Sequence, residues 1–118
     1  MKHFRLEEFD SPDAPGSGAG MDRHFLELVD RIREDAGIPF VITSGYRTVR
    51  HNAALKGSTP NSAHLSGRAA DILALTGRDK WLIVAAAIRN GISRIGIGKN
   101  FVHVDNDASL PNPANWLY

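Results

Sequence analysis

With 118 residues, 42% of them hydrophobic, the chain has the size of one domain and enough apolar side chains to bury a core of its own. Fourteen Lys and Arg against thirteen Asp and Glu leave a formal net charge of +1, too small a field to favour nucleic acid as the main partner. Cysteine is absent, which removes disulfides, thiolate-held zinc and thiol nucleophiles together, and leaves His and carboxylate to hold any metal.

In chain order, Met1 to Phe9 reads as a short arm that Phe4, Leu6 and Phe9 tack onto the body. It has no apolar run of signal-peptide length and carries the acidic pair Glu7 and Glu8, so synthesis in the cytoplasm without a signal peptide is expected. Ser11 to Gly20 is rich in Pro, Gly and Ser and reads as loop, so residues 1–20 form an arm and loop. From Asp22 to Ala36, Phe25, Leu28, Val29 and Ile32 recur at helical spacing before Gly37, a helix with its terminator. Phe40 to Thr43 is a β-prone run whose following turn delivers Ser44, Tyr46 and Arg47. Thr48 to Leu55 has helical character and stops at Gly57, and residues 58–62 are loop. The C-terminal half of Arg68 to Leu75 suits a buried strand interrupted by one carboxylate, Asp71. Gly77 and Asp79 precede a helix from Lys80 to Asn90, closed by Gly91. Its run from Trp81 to Ile88 predicts burial, and it is far shorter than the roughly 20 apolar residues of a membrane span, so no membrane insertion is expected. Ser93 to Ile97 and Phe101 to Val104 predict a hairpin around Gly98, Lys99 and Asn100. Residues 106–118 read as an irregular tail in which Trp116 and Tyr118 pack back on the body. Connections too short for parallel crossovers give an α+β fold: a small, mostly antiparallel sheet flanked by helices, one domain over 1–118, expected to be a monomer.

Two places carry metal-capable side chains that the local pattern does not explain. His64 lies in a loop, and Asp71 follows it seven residues later inside an Ala/Ile/Leu strand, where an unpaired buried carboxylate would be costly and a bound cation would remove the cost. In Phe101 to Asp105, period-two alternation sends Val102 and Val104 to one face and His103 and Asp105 to the other. Two imidazoles and a carboxylate make a three-ligand set for a catalytic Zn2+ with a fourth position open to water. Such an ion lowers the pKa of bound water to about 7 and polarises a carbonyl, which suits peptide or ester hydrolysis. By contrast His51 reads as a solvated helix residue, and His3 and His24 have no partner in view.

The order Ser44-Gly45-Tyr46-Arg47, Ser62-x-His64-x-x-Gly67-x-Ala69-x-Asp71 and Val102-His103-Val104-Asp105 resembles the M15 family of zinc D-alanyl-D-alanine peptidases, and within it the short branch of phage and prophage genes. The resemblance implies that His64, Asp71 and His103 bind Zn2+, that Arg47 stabilises the oxyanion of the tetrahedral intermediate, and that Ser62 contacts substrate. A guanidinium suits that task because it is always charged and offers several donors. Tyr46 is expected as a packing or cleft-wall aromatic against the substrate. Dipeptidase members of the family carry a Glu three residues before the last zinc His, where this chain has Asn100. Asp105, about 7 Å along the same strand face, is then the substitute general base or, alternatively, the residue that orients a ligand imidazole. The implied function is hydrolysis of D-amino-acid-containing bonds in peptidoglycan stem peptides, by a carboxypeptidase or endopeptidase of endolysin type that reaches the wall after release or in a phage particle. The alternative is a non-catalytic zinc-containing module that binds cell wall or protein.

Overall fold

Asp22 starts the first helix: its carboxylate accepts the Phe25 N–H at 3.0 Å, capping an otherwise unpaired donor. The computed structural model of the chain describes residues 1–118. In it α1 runs over Arg23–Ala36 and ends where Gly37 takes φ 72°, the left-handed conformation that glycine adopts without a Cβ penalty. Strand β1, Ile42–Ser44, follows, then the short α2, Val49–Ala54, capped by the Thr48 hydroxyl on the His51 N–H. A 3-10 turn, Ala63–Ser66, one of three in the chain with Leu6–Phe9 and Ser17–Gly20, leads into β2, Ala69–Leu73. Helix α3, Gly77–Arg89, precedes β3, Arg94–Ile97, and β4, Phe101–Asp105. The last strand is β5, Ala114–Leu117.

The five strands form one sheet in the order β1-β2-β4-β3-β5, antiparallel at every pairing except β3 with β5. The fold is therefore α+β with a small, mostly antiparallel sheet, built round a single core. Helices α1 and α3 pack against each other and cover one sheet face. Phe25, Val29 and Ile32 of α1 and Ile83, Ala86 and Ala87 of α3 are buried against Ala70, Ile72, Ile95, Val102 and Val104. Each such large apolar side chain contributes about 1.5–3 kcal/mol when fully removed from water. The opposite sheet face carries no helix of comparable length, and the candidate site residues Asp71, His103 and Asp105 lie there. No helix is long and apolar enough to cross a membrane.

Four expectations are corrected. Helix α3 begins at Gly77, not Lys80, because the Thr76 hydroxyl accepts the Asp79 N–H at 3.1 Å and starts the first turn earlier. Its apolar run is buried on one side only: Trp81 is 67% and Ile88 60% exposed, since the sheet covers just the stripe of Ile83, Ala86 and Ala87. The tail is not irregular throughout. Ala114 N–H bonds the Ser93 carbonyl at 2.8 Å and Tyr118 N–H the Ile97 carbonyl at 3.0 Å, zipping β5 parallel to β3. In the N-terminal arm Phe4 and Phe9 are buried edge to face at 5.3 Å, while Leu6 stays at the surface.

Candidate metal centre

The sheet's pairing brings the chemistry into rows. Across the strands Ser44 pairs with Asp71, Asp71 with His103, His103 with Gly96, and Gly96 with Trp116. Paired residues project to the same face, so this row stands on the side turned away from the core, where the alternation in β4 sends His103 and Asp105. His64 joins from outside the sheet. Its 3-10 turn is started by Ser62, whose hydroxyl accepts the His64 N–H at 3.2 Å, and is closed by Gly67 at φ 71°. A Cβ on Gly67 would come within 2.4 Å of the Gly20 carbonyl, so the turn can dock against the N-terminal segment only with glycine there.

His64, Asp71 and His103 are all buried, at 2, 7 and 4% exposure, and one ligand atom from each lies within 4.8 Å of the others. His64 Nδ1 is 2.7 Å from the Gly45 carbonyl, which can only accept; Nδ1 is therefore protonated and Nε2 presents its lone pair, 3.3 Å from Asp71 Oδ1. His103 faces the same oxygen with Nδ1 at 2.8 Å, while its Nε2 lies 2.7 Å from Asp105 Oδ2. A tetrahedral ion about 2.0–2.1 Å from each donor holds neighbouring donors roughly 3.3 Å apart. The donor set and its spacing thus fit a divalent cation of the zinc type, and each imidazole has a partner on its far nitrogen that fixes the ligating one.

The electrostatics agree. Burial pushes the His64 pKa down, outweighing the pull of the neighbouring Asp71 carboxylate, and keeps it a neutral ligand. For Asp71 burial acts upward, but the hydrogen bond with His103 and the imidazole of His64 beside it prevail and hold the carboxyl well below the ordinary range. For His103 burial acts downward, and the bonds to Asp105 and Asp71 prevail to raise it. A buried carboxylate seeks positive charge, and without a metal a proton on His103 supplies it.

These groups lie in a cleft of about 620 Å³. Of the residues expected from sequence, Arg47, Ser62, His64, Asp71, His103 and Asp105 all line it. Arg47 Nη2 is 3.5 Å from Asp71 Oδ2, and the guanidinium is braced by the Ser44 hydroxyl at 3.0 Å and Asn52 Oδ1 at 3.2 Å. Asp105 is 1% exposed and both its oxygens are engaged, Oδ2 with His103 and Oδ1 with Arg94 Nε at 2.7 Å.

Of the two alternatives for Tyr46 the structure has the packing one: its ring lies against the core and over Gly20, where a Cβ would meet it at 2.8 Å, and it is not among the residues lining the cleft. Asn100 is exposed in the β3–β4 turn and also lies off the cleft. His51 and His24 lie outside it too, and His3, expected to lack a partner, contacts Glu34. Sequence reasoning missed Arg94 and the cleft roles of Trp116 and Tyr118. The alternation of Arg94, Gly96 and Gly98 against Ile95 and Ile97 was a usable signal for the first.

A family model described as Peptidase M15 matches residues 2–105. No curated protein sequence matches the chain. Among solved structures, the crystal structure of the Serratia marcescens L-Ala D-Glu endopeptidase ChiX is similar in fold, with a TM-score of 0.53 and 19% identity over 74% of this chain and 80% of that one. All three cation-ready donors fall inside the stretch matched by a family of metallopeptidases, and from that match the chain belongs to the peptidase M15 family.

Proposed function

We propose that the protein is a zinc-dependent peptidase that hydrolyses D-amino-acid-containing peptide bonds of bacterial peptidoglycan, with His64, Asp71 and His103 as the metal ligands. What carries this assignment is the convergence of those three donors within 4.8 Å at the wall of an open cleft. The cell-wall substrate is supported by the motif resemblance and by the fold shared with an L-Ala D-Glu endopeptidase; endopeptidase and carboxypeptidase action share this chemistry, and the phage-type branch rests on the motifs alone.

Zn2+ held here supplies Lewis acidity toward a carbonyl oxygen and acidifies water. Arg47 is the candidate for stabilising negative charge developing on the scissile carbonyl oxygen, a role supported by a guanidinium that Ser44 and Asn52 hold beside the Asp71 carboxylate. Ser62 lines the cleft next to His64 and is the candidate substrate contact. Asp105, with both oxygens occupied, fits the orienting role and not that of a base: it keeps the His103 proton on Nε2 and leaves Nδ1 free to ligate.

The test is incubation of Zn2+-loaded protein with purified peptidoglycan. New free amines are expected, abolished by chelation and restored by Zn2+, and mass spectrometry of the muropeptides identifies the bond cut. One observation favours a second reading, a non-catalytic zinc-containing module: the position where dipeptidases carry Glu holds an exposed Asn100 outside the cleft. Tight binding to peptidoglycan with full metal content and no released amine would establish that alternative.

A further inference from the structure

Arg94 lines the cleft but belongs to none of the motifs above. It is paired with Asp105 in the β3–β4 register, and its side chain is 12% exposed. Three contacts radiate from one guanidinium. Nε donates to Asp105 Oδ1 at 2.7 Å, Nη1 donates to the Pro111 carbonyl, and the group lies over the Trp116 ring, 4.8 Å from its centroid. Asp105 in turn holds His103 Nε2. The Trp116 ring is itself 5.4 Å from the His103 ring and sits above Gly96, whose missing Cβ leaves room for it.

An imidazole fixed through one nitrogen depends on its partner, because that partner selects the tautomer and the ring plane. Asp105 Oδ1 also accepts the Asp107 N–H, at 3.2 Å, but Arg94 is the closer donor, and a planar, charged group fixes a carboxylate more firmly than a neutral amide does. The family match ends at Asp105, whereas Pro111 and Trp116 lie beyond it.

We propose that Arg94 is a positioning residue for the metal centre: by gripping Asp105 and the C-terminal strand together, it holds the His103 imidazole with Nδ1 turned toward Asp71 and His64. This rests on the metal-binding role proposed above for those residues.

The test is Zn2+ affinity, measured by competition with a chromophoric chelator, alongside thermal unfolding of the metal-free proteins. Arg94→Met is expected to weaken Zn2+ binding by about 10- to 100-fold. Arg94→Lys is expected to lose less, since an ammonium keeps the charge but not the planar fork. Adding Asp105→Asn to Arg94→Met should cause little further loss, because both changes act through one imidazole. Wild-type affinity in folded Arg94→Met, or fully additive losses in the double variant, would overturn the proposal. If Arg94→Met does not fold, Arg94→Lys decides, and unchanged affinity there overturns it equally. Wild-type protein that binds no Zn2+ sinks the metal reading itself, an outcome distinct from variants that bind as well as wild type.

Discussion

Asp71 stands in a strand otherwise made of Ala, Ile and Leu, with imidazole nitrogens at 2.8 and 3.3 Å from one oxygen and a guanidinium beside the other. Asp71→Asn keeps the shape and removes the charge, so it should abolish stoichiometric Zn2+ binding, a larger effect than the roughly 10- to 100-fold typical of residues behind the ligands. Elemental analysis of the folded variant checks this, and a full equivalent of retained zinc would refute the ligand assignment. Gly96 makes a second prediction. An alanine Cβ there would meet Trp116 Nε1 at 2.4 Å, so Gly96→Ala must push the indole away, at a cost of about 1–3 kcal/mol. Denaturant midpoints and tryptophan fluorescence report both the cost and the displacement. At this scale the candidate ligands were legible because a carboxylate and a histidine broke apolar patterns that gave them no other purpose. For Tyr46 the sequence left packing and cleft wall open, because a side chain after a strand end can turn either way; its ring packs over Gly20, 26 positions earlier.

Helix α2 is only six residues long, too short to persist by propensity, and Thr48 holds its start. The Thr48 hydroxyl accepts the His51 N–H and donates to Asp13. Thr48→Ala should therefore cost about 1 kcal/mol in thermal stability. It should also lower turnover more than substrate binding, because Asn52 on this helix braces Arg47. The N-terminal arm is tied differently: Asp30 of α1 accepts the Lys2 and His3 N–H groups at 2.9 and 2.8 Å. Burial acts to raise the Asp30 pKa, but those two bonds outweigh it and leave it depressed. A depressed carboxyl stabilises the folded arm above its unfolded pKa of about 3.9 and loses that contribution as pH falls through the lower folded value. Amide exchange at His3 should thus stay protected at neutral pH and open in acid, and Asp30→Asn should weaken that acid dependence. Boundaries marked by capping chemistry, such as Asp22 with Gly37, were readable. Strand β5 was not, because its partner β3 lies some 20 residues upstream and a Pro-rich segment masks the four residues that pair.

Across the whole molecule the sheet divides two tasks. Its helix-covered face holds Ile72, Val102 and Val104 at zero exposure, and its other face holds the metal-capable row. Ile72→Ala should cost about 2–5 kcal/mol, a large share of the roughly 5–15 kcal/mol that holds a domain together. The surviving folded fraction should still take up one equivalent of Zn2+; loss of that stoichiometry without unfolding would show that the faces are coupled. The α+β class was legible because helical and alternating periods were distinct, and the hairpin because Gly98, Lys99 and Asn100 separate two β-branched runs. The order of strands was not, since β4 inserts between β2 and β3 through pairings that no local pattern encodes. Because neighbouring residues along β2 and β4 answer to opposite faces, selection can rewrite one set without renegotiating the other. A lineage carrying this scaffold is free to exchange donors, and so change its ion or its reaction, while inheriting an interior that folds as before.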